Sequence, residues 1–167
     1  MILAIDVHYK VEYAKTVVLL FDNWQSETYA NVVEIKTKNV AEYVSGEFYK
    51  RELPCILEAL QQINSNTIDV IIIDGYIYVD NQNSYGLGGY LYEALNKKIP
   101  IIGVAKTSFQ SNKDTFVEVF RGASKNPLYV SAIGYDLEKA AQEVQLMHGD
   151  FRLPYLLKLM DQKTKEE

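Results

Sequence analysis

Hydrophobic residues in the first forty positions fall into three short runs that predict β-strands. The runs cover residues 2–7, 12–22 and 28–37, and they are rich in aliphatic and β-branched side chains. The segments between them are short and contain Asp, Asn and Ser, which are typical of turns. This part of the chain is therefore predicted to form an antiparallel meander.

Residues 45–64 are the first segment in which apolar side chains follow helical spacing. Ser45 is expected to cap this helix, and Pro54 is expected to bend or restart it. The single cysteine, Cys55, is interpreted as a small hydrophobic residue on the helix face. Neither histidine of the chain lies in a recognisable motif that would make this thiol a nucleophile.

The remainder of the chain alternates strands with helices. Unbroken aliphatic runs predict strands covered on both faces, and a strand, helix, strand order implies a right-handed parallel crossover. A returning pair of strands follows, and then a helix that Asp136 should cap and Gly149 should end. The predicted elements are strands 68–75, 99–106, 116–122 and 127–135 and helices 87–98, 136–149 and 154–164. Together they predict one α/β domain over residues 1–167, with a mixed central sheet and flanking helices.

The composition of the chain leads to expectations about its size, its location and the ligands that its charge permits. The chain of 167 residues fits one domain of ordinary size, and no apolar stretch approaches the roughly 20 residues of a membrane-spanning helix. The N-terminus lacks a basic leader, and a single cysteine agrees with a reducing compartment, so a soluble cytoplasmic protein is expected. The net charge of −5 argues against broad electrostatic coverage of nucleic acid but permits a small local site.

Two carboxylates stand where a core would otherwise be apolar. Asp74 ends the most aliphatic strand and precedes Gly75, and ligands collect at the carboxyl ends of such strands, although a turn-forming Asp is the alternative. Asp6 interrupts the first strand, where an unpaired buried charge is expensive. If these strands are neighbours, the carboxylates raise each other's pKa unless a cation such as Mg²⁺ or Mn²⁺ intervenes. Glu52 adds a third carboxylate, although a Glu beside Arg51 is usually a solvated helix face.

Seven segments, taken in order, resemble the endonuclease V family. They are AIDVHY, YVSGEFYKRELP, DVIIIDG, GLGGYL, IPIIGVAK, LYVSAIGY and FRLP, and the similarity as a whole extends from residue 2 to about residue 161. The resemblance implies an RNase H-like fold, which agrees with the meander and the crossover. It also implies a Mg²⁺-dependent endonuclease that cuts DNA or RNA at the second phosphodiester on the 3′ side of a deaminated purine, hypoxanthine.

The resemblance also implies roles for individual residues. Asp6 and Asp74 look like the metal carboxylates of the family, and Glu52 looks like the third acidic member. Lys106 matches the active-site lysine, which would face the phosphate and offset developing charge. A solvated lysine at a strand end is the alternative for Lys106.

The segment YVSG resembles the wedge of the family, usually Tyr-Ile-Pro-Gly, which enters the duplex while the damaged base rotates into a pocket. Tyr43 would stack on a base, although an ordinary aromatic residue before a helix is the alternative. Gly46 and Gly75 match the base pocket, where a missing side chain lets the backbone reach the purine. Ser45 replaces the usual proline, so this wedge is expected to be less rigid.

Three histidines that the resemblance implies are absent. Asp80, Asn81 and Gln82 stand in place of His-Pro-Arg, while Tyr90 and Tyr135 stand in place of the other two histidines. A phenol with a pKa of about 10 donates hydrogen bonds to phosphate or water but does not shuttle protons near neutrality. Asp80 would either add a metal ligand or repel the phosphate, and Tyr135 would contact the substrate.

These departures leave a rival hypothesis open. The chain would then be a weakened relative of the nuclease that binds nucleic acid or another partner without cutting it. A third class, an unrelated phosphate-binding α/β module, would need a phosphate loop, and GLGG is neither a dinucleotide fingerprint nor a P-loop. The pattern indicates no oligomeric state.

Overall fold

Strands and helices of a computed structural model follow the predicted order. The model describes residues 1–40, 42, 44, 45, 47–108 and 110–167. The strands are β1 (Ile2–Tyr9), β2 (Ala14–Phe21), β3 (Asn31–Thr37), β4 (Val70–Asp74), β5 (Ile101–Ala105), β6 (Val117–Val119) and β7 (Leu128–Ile133). The helices are α1 (Phe48–Leu60), α2 (Leu87–Ala94), α3 (Leu137–Gln145) and α4 (Tyr155–Lys165), with short 3₁₀ segments at Ser65–Thr67 and Gln110–Thr115.

The strands of the described residues form one mixed sheet in the order β3-β2-β1-β4-β5-β7-β6. The antiparallel meander consists of β1, β2 and β3. The central strands β1, β4 and β5 run parallel to one another. Strand β7 pairs antiparallel with β5, and β6 pairs antiparallel with β7. The helix between β4 and β5 makes the parallel crossover that the sequence predicts. The mixed sheet with flanking helices is therefore confirmed.

Helices cover both faces of the sheet. α3 and α4 pack on one face, and α1 and α2 pack on the other. Side chains alternate between the faces along each strand, so Ile2 and Ala4 of β1 pack beneath α3 and α4, while Leu3 and Ile5 pack beneath α1 and α2. By the same alternation, Asp6 belongs to the face that α4 covers.

Helix α1 differs from its prediction at Ser45 and at Pro54. The helix begins at Phe48, with Glu47 as an N-cap residue that makes no side-chain capping bond, so Ser45 is not the cap. Pro54 lies inside an uninterrupted helix. An interior proline costs about 3 kcal/mol. Ile56 is 2% exposed, and burying such a side chain contributes about 1.5 to 3 kcal/mol, so packing on the sheet offsets the penalty.

Helix α3 follows its prediction at the start and departs from it at the end. Asp136 accepts a hydrogen bond from the backbone N–H of Lys139 at 2.9 Å, which confirms the predicted cap. The helix ends at Gln145, before Gly149, which adopts a positive φ of 113° in the following loop.

No helix in the described residues is both long and apolar enough to cross a bilayer.

Candidate active site

Asp6, within β1, and Asp74, at the carboxyl end of β4, lie side by side on adjacent parallel strands. Ile5 of β1 is in register with Ile73 of β4, so the two aspartates follow paired residues on neighbouring strands. Burial, together with the negative charge of Asp74, raises the pKa of Asp6 to about 7. Burial also raises the pKa of Asp74, although this side chain remains open to solvent at the sheet edge. The predicted juxtaposition of these carboxylates is present in the structure.

Glu52 approaches the same two carboxylates from helix α1. Its side chain is half-buried, and burial together with the charges of Asp6 and Asp74 raises its pKa to about 8. The neighbouring Arg51 guanidinium opposes this rise and lies 3.6 Å from the centre of the Tyr9 ring. Glu52 therefore joins Asp6 and Asp74, and we call these three carboxylates the acidic cluster. Glu52 is not part of a solvated helix face.

Lys106 places a positive charge beside Asp6 and Asp74. It directly follows β5, lines a small cavity with Asp6 and Asp74, and lowers the pKa of both carboxyls. Its backbone carbonyl accepts a 2.6 Å hydrogen bond from Arg152, whose guanidinium also donates to the carbonyl of Pro127. Arg152 belongs to the FRLP segment, so this motif holds the lysine beside the sheet edge.

A fourth carboxylate, Asp161 on α4, lines the same cavity and is missing from the sequence prediction. Its charge raises the pKa of Asp6 and of Asp74. Asp161 lies one helical turn after Leu157, which is 3% exposed, so its position on the buried side of α4 is the signal that could have revealed it. Lys165 pairs with Asp161 at 3.0 Å.

The cavity between these groups has a volume of about 20 Å³, which is room for one water or one small ion. Within the described part of the chain, no group of three or more His, Cys, Asp or Glu side chains has the geometry to hold a metal ion as it stands. The donor chemistry nevertheless fits a hard divalent cation, which prefers carboxylate oxygen. Three neighbouring carboxyls with raised pKa values (Asp6, Glu52 and Asp74) would all be ionised more easily beside such a cation.

A wider cleft of about 870 Å³ opens next to the carboxylates, between α1, α2 and the ends of β4 and β5. Asp74 and Glu52 form one end of the cleft, and aromatic side chains of α1 and α2 line another part of it. Gly75 lines the cleft with a positive φ of 144°, a conformation that favours glycine. A substrate in this cleft would reach the acidic cluster directly.

Comparison with known proteins identifies the family. The sequence model of endonuclease V matches residues 1–162. This chain belongs to the endonuclease V family. Endonuclease V of Bacillus subtilis (strain 168) is 29% identical in an alignment that covers 80% of this chain and 68% of that protein.

Solved structures show the same fold. Human ENDOV matches with a TM-score of 0.76 at 21% identity, over 98% of this chain and 82% of the human one. A Ciona intestinalis endonuclease V was solved with a 23mer DNA that contains an inosine followed by a ribo-adenosine. It matches with a TM-score of 0.78 at 18% identity, over 98% of this chain and 83% of that one. The RNase H-like fold that the resemblance implied is confirmed.

Two residues that the endonuclease V resemblance suggested for substrate contact lie elsewhere. Asp80 accepts hydrogen bonds from the backbone N–H groups of Gln82 and Ser84, both at 3.0 Å, so its carboxylate stabilises a turn. Tyr135 lies at the opposite end of the sheet from Lys106, because β7 runs antiparallel to β5. It packs there against Trp24 with ring centroids 6.5 Å apart. The structure brings neither residue into the acidic cluster.

The proposed endonuclease V wedge cannot be placed in the same way. Tyr43 and Gly46 lie outside the described residues.

Cys55 is buried at 1% exposure on α1, as expected for a small hydrophobic residue of the helix face.

Proposed function

We propose that this chain is a metal-dependent endonuclease that cuts nucleic acid beside a deaminated purine. The observation that carries the proposal is the convergence of Asp6, Glu52, Asp74 and Lys106 at one edge of the sheet, next to a cleft. Membership of the endonuclease V family supports the reaction class. The DNA in the Ciona complex, which contains inosine, supports the choice of lesion.

Asp6 and Asp74 are the residues that would hold a divalent cation, with Glu52 binding directly or through water. Bound Mg²⁺ or Mn²⁺ would act as a Lewis acid on the phosphate and promote ionisation of the attacking water. The carboxylates would fix the cation at the sheet edge, since they come from two strands and a packed helix whose positions are set by the core.

Lys106 would face the phosphate and offset negative charge that develops on its oxygens. The hydrogen bonds of Arg152 hold the backbone of Lys106, which limits the freedom of the ammonium group relative to the carboxylates. Asp161 would offer a further carboxylate oxygen to a bound cation from the other side of the small cavity, since it lines the same space. The flat purine would enter the cleft beside Gly75, where no side chain blocks the backbone.

Replacement of Asp74 by Asn tests the proposal. This change removes a carboxylate from the acidic cluster, so nicking of an inosine-containing strand in Mg²⁺ should be abolished. The thermal unfolding midpoint should change little, because Asp74 lies at the open end of β4. Asp69→Asn is the matched control, since Asp69 precedes the other end of the same strand and pairs with the N-terminal amine. Unchanged nicking by the Asp74 variant would overturn the assignment.

The rival function is binding without cutting. The absence of a histidine at position 90, which lies in the cleft, is the observation that favours it. Incubation of inosine-containing DNA and RNA with Mg²⁺ or Mn²⁺ separates the two functions. Binding without a nick under every condition would favour the rival.

A further inference from the structure

Two lysines, one in the turn between β1 and β2 and one in β2, hold the C-terminal end of helix α4. The ammonium group of Lys15 donates hydrogen bonds to the backbone carbonyls of Lys163 at 2.7 Å and of Glu166 at 3.1 Å. The ammonium group of Lys10 donates to the carbonyls of Lys165 at 2.9 Å and of Glu166 at 2.8 Å. The last carbonyls of a helix lack partners within it and carry partial negative charge, so cations are favourable there. We call Lys10 and Lys15 the lysine clamp.

Lys15 is buried, at 4% exposure, which is unusual for a lysine. Its charge is paired with Glu34 of β3 at 3.3 Å. Taking an ammonium group out of water is costly, and an apolar side chain of similar size often serves the stability of a fold as well or better. A charge at this position is thus expensive for stability alone, and what it provides is the pair of hydrogen bonds to α4.

The clamp and the acidic cluster share the same pair of strands. Lys15 is in register with His8, and Asp6 lies two positions before His8 on β1. Residues two positions apart in a strand, and residues paired across two strands, point to the same face of the sheet. Asp6 and Lys15 therefore both point toward α4, and the ladder between β1 and β2 fixes their separation.

Helix α4 connects the clamp to the small cavity. Asp161 lines that cavity and precedes the clamped carbonyl of Lys163 by two positions. The hydroxyl of Thr164, a fully buried residue, donates a 2.6 Å hydrogen bond to the backbone carbonyl of Asp161. These bonds set the position of the last turn of α4, and with it the place of the Asp161 carboxylate opposite Asp6.

We propose that Lys15, supported by Lys10, is a positioning residue of the cation site. It holds the last turn of α4 so that the Asp161 carboxylate faces the cavity. The inference rests on the proposed function for the presence of a cation. It adds two residues that lie outside the seven segments of the family resemblance.

The charge of Lys15 and its positioning role predict opposite effects on cation binding. A lysine repels a nearby cation, so removal of the charge alone should tighten cation binding. Loss of the support for Asp161 should instead weaken cation binding, because a carboxylate oxygen would no longer be held at the cavity. The sign of the change therefore separates positioning from electrostatic repulsion.

The first test measures Mn²⁺ binding to the full chain by isothermal titration calorimetry. Lys15→Met should weaken binding roughly tenfold, the lower end of the effect of losing an outer support of a metal ligand. Lys15→Arg should retain most of the affinity, since a guanidinium also donates hydrogen bonds to carbonyls. Unchanged or tighter binding by Lys15→Met would overturn the proposal.

Lys36→Met is the matched control for this test. Lys36 is an exposed lysine of β3 in register with Lys15, and its ammonium group lies 5.0 Å from the centre of the Tyr13 ring. This variant removes the same charge one strand away and should bind Mn²⁺ at least as tightly as the wild type.

The second test asks whether the effect of Lys15 passes through Asp161. Lys15→Met is combined with Asp161→Asn, and the Mn²⁺ affinity is measured for the wild type, both single variants and the double variant. If the lysine acts by positioning this carboxylate, its replacement should change the affinity less than about twofold once the carboxylate is gone. Independent, multiplied losses would show that Lys15 only stabilises the fold, and would overturn the proposal.

Lys10→Met decides the question if Lys15→Met does not fold, because Lys10 is less buried and binds the same end of α4. It should also weaken Mn²⁺ binding, and this loss should vanish in the Asp161→Asn background. A Lys10→Met chain that binds Mn²⁺ as tightly as the wild type would then reject the clamp.

Nicking of an inosine-containing strand in Mn²⁺ separates this inference from the proposed function. Mn²⁺ affinity that depends on the clamp, in a chain that nicks no strand, would reject the nuclease and retain the clamp. Nicking by the wild type, with unchanged Mn²⁺ affinity in Lys15→Met, would retain the nuclease and reject the clamp.

Discussion

At the scale of the residue, the acidic cluster is a set of side chains that disfavour each other's charge. Asp6, Glu52 and Asp74 all have raised pKa values, mainly from burial and also from the charges of neighbouring carboxylates. Lys106 offsets part of this repulsion. Such an arrangement is unfavourable for stability alone, and perturbed groups of this kind cluster at functional sites.

Asp161 provides a test at this scale. Asp161→Asn removes the carboxylate that faces Asp6 and Asp74 across the small cavity, so the pKa of both should fall and cation affinity should change. If Asp161 takes part in the chemistry, nicking should decrease by at least about tenfold, which corresponds to about 1.4 kcal/mol of barrier. Single-turnover nicking measures the loss. The control is Asp22→Asn, an exposed residue that follows β2 at the opposite end of the sheet, and equal rates for both variants would exclude Asp161 from the mechanism.

The sequence predicted three of these carboxylates and missed the fourth for a physical reason. Asp6 and Asp74 interrupt aliphatic strands, and a charge in such a run is conspicuous. Asp161 sits in an amphipathic helix, where a carboxylate is unremarkable until the packing of α4 on β1 is known. The turn role of Asp80 similarly depends on backbone bonds within its own loop.

At the scale of the element, the loop between α3 and α4 is organised by one buried cation. Arg121 is 4% exposed, and its guanidinium donates hydrogen bonds to backbone carbonyls of that loop. The acceptors are Gln145, Met147, Gly149, Phe151 and Arg152. This loop leads into α4, so Arg121 supports the position of Asp161 and of the FRLP segment.

Arg121→Met should destabilise the chain strongly, because it leaves several carbonyls of the loop without their donor. A loss of about 3 kcal/mol in the free energy of unfolding is expected, since unsatisfied buried groups cost about 1 to 3 kcal/mol each. Urea unfolding measures this change. Lys125→Met, an exposed change in the loop that follows Arg121, is the control. A difference between the variants below about 1 kcal/mol would contradict the role given to Arg121.

At the scale of the whole molecule, the acidic cluster links folding to pH. The pKa of Asp6 rises from 3.8 to about 7, and that of Glu52 rises from 4.5 to about 8. A carboxyl whose pKa is higher in the folded state contributes stability below its unfolded pKa. That contribution is lost as the pH rises through the folded pKa.

The metal-free chain should therefore lose stability as the pH rises from about 4 to about 8, by at most about 1.4 kcal/mol per pH unit for each proton released. Thermal unfolding in a chelating buffer measures this. Asp6→Asn and Glu52→Gln should each flatten the curve, and Mg²⁺ should raise the melting temperature more at high pH than at low pH. A pH profile that neither variant alters would show that these carboxyls are not coupled to folding.

The sequence by itself determined the order of the elements, the mixed sheet and the residues Asp6, Glu52, Asp74 and Lys106 as candidates. The elements, Asp6 and Asp74 can be read along the chain from hydrophobic periodicity and interrupted apolar runs, whereas Glu52 and Lys106 were indicated by motifs that resemble those of the endonuclease V family. Tertiary structure alone decided that Tyr135 lies at the far end of the sheet, that Asp161 joins the cluster and that Tyr49, Tyr85 and Tyr90 line the cleft. Each depends on strand direction or helix packing, which bring together residues that are distant in the chain.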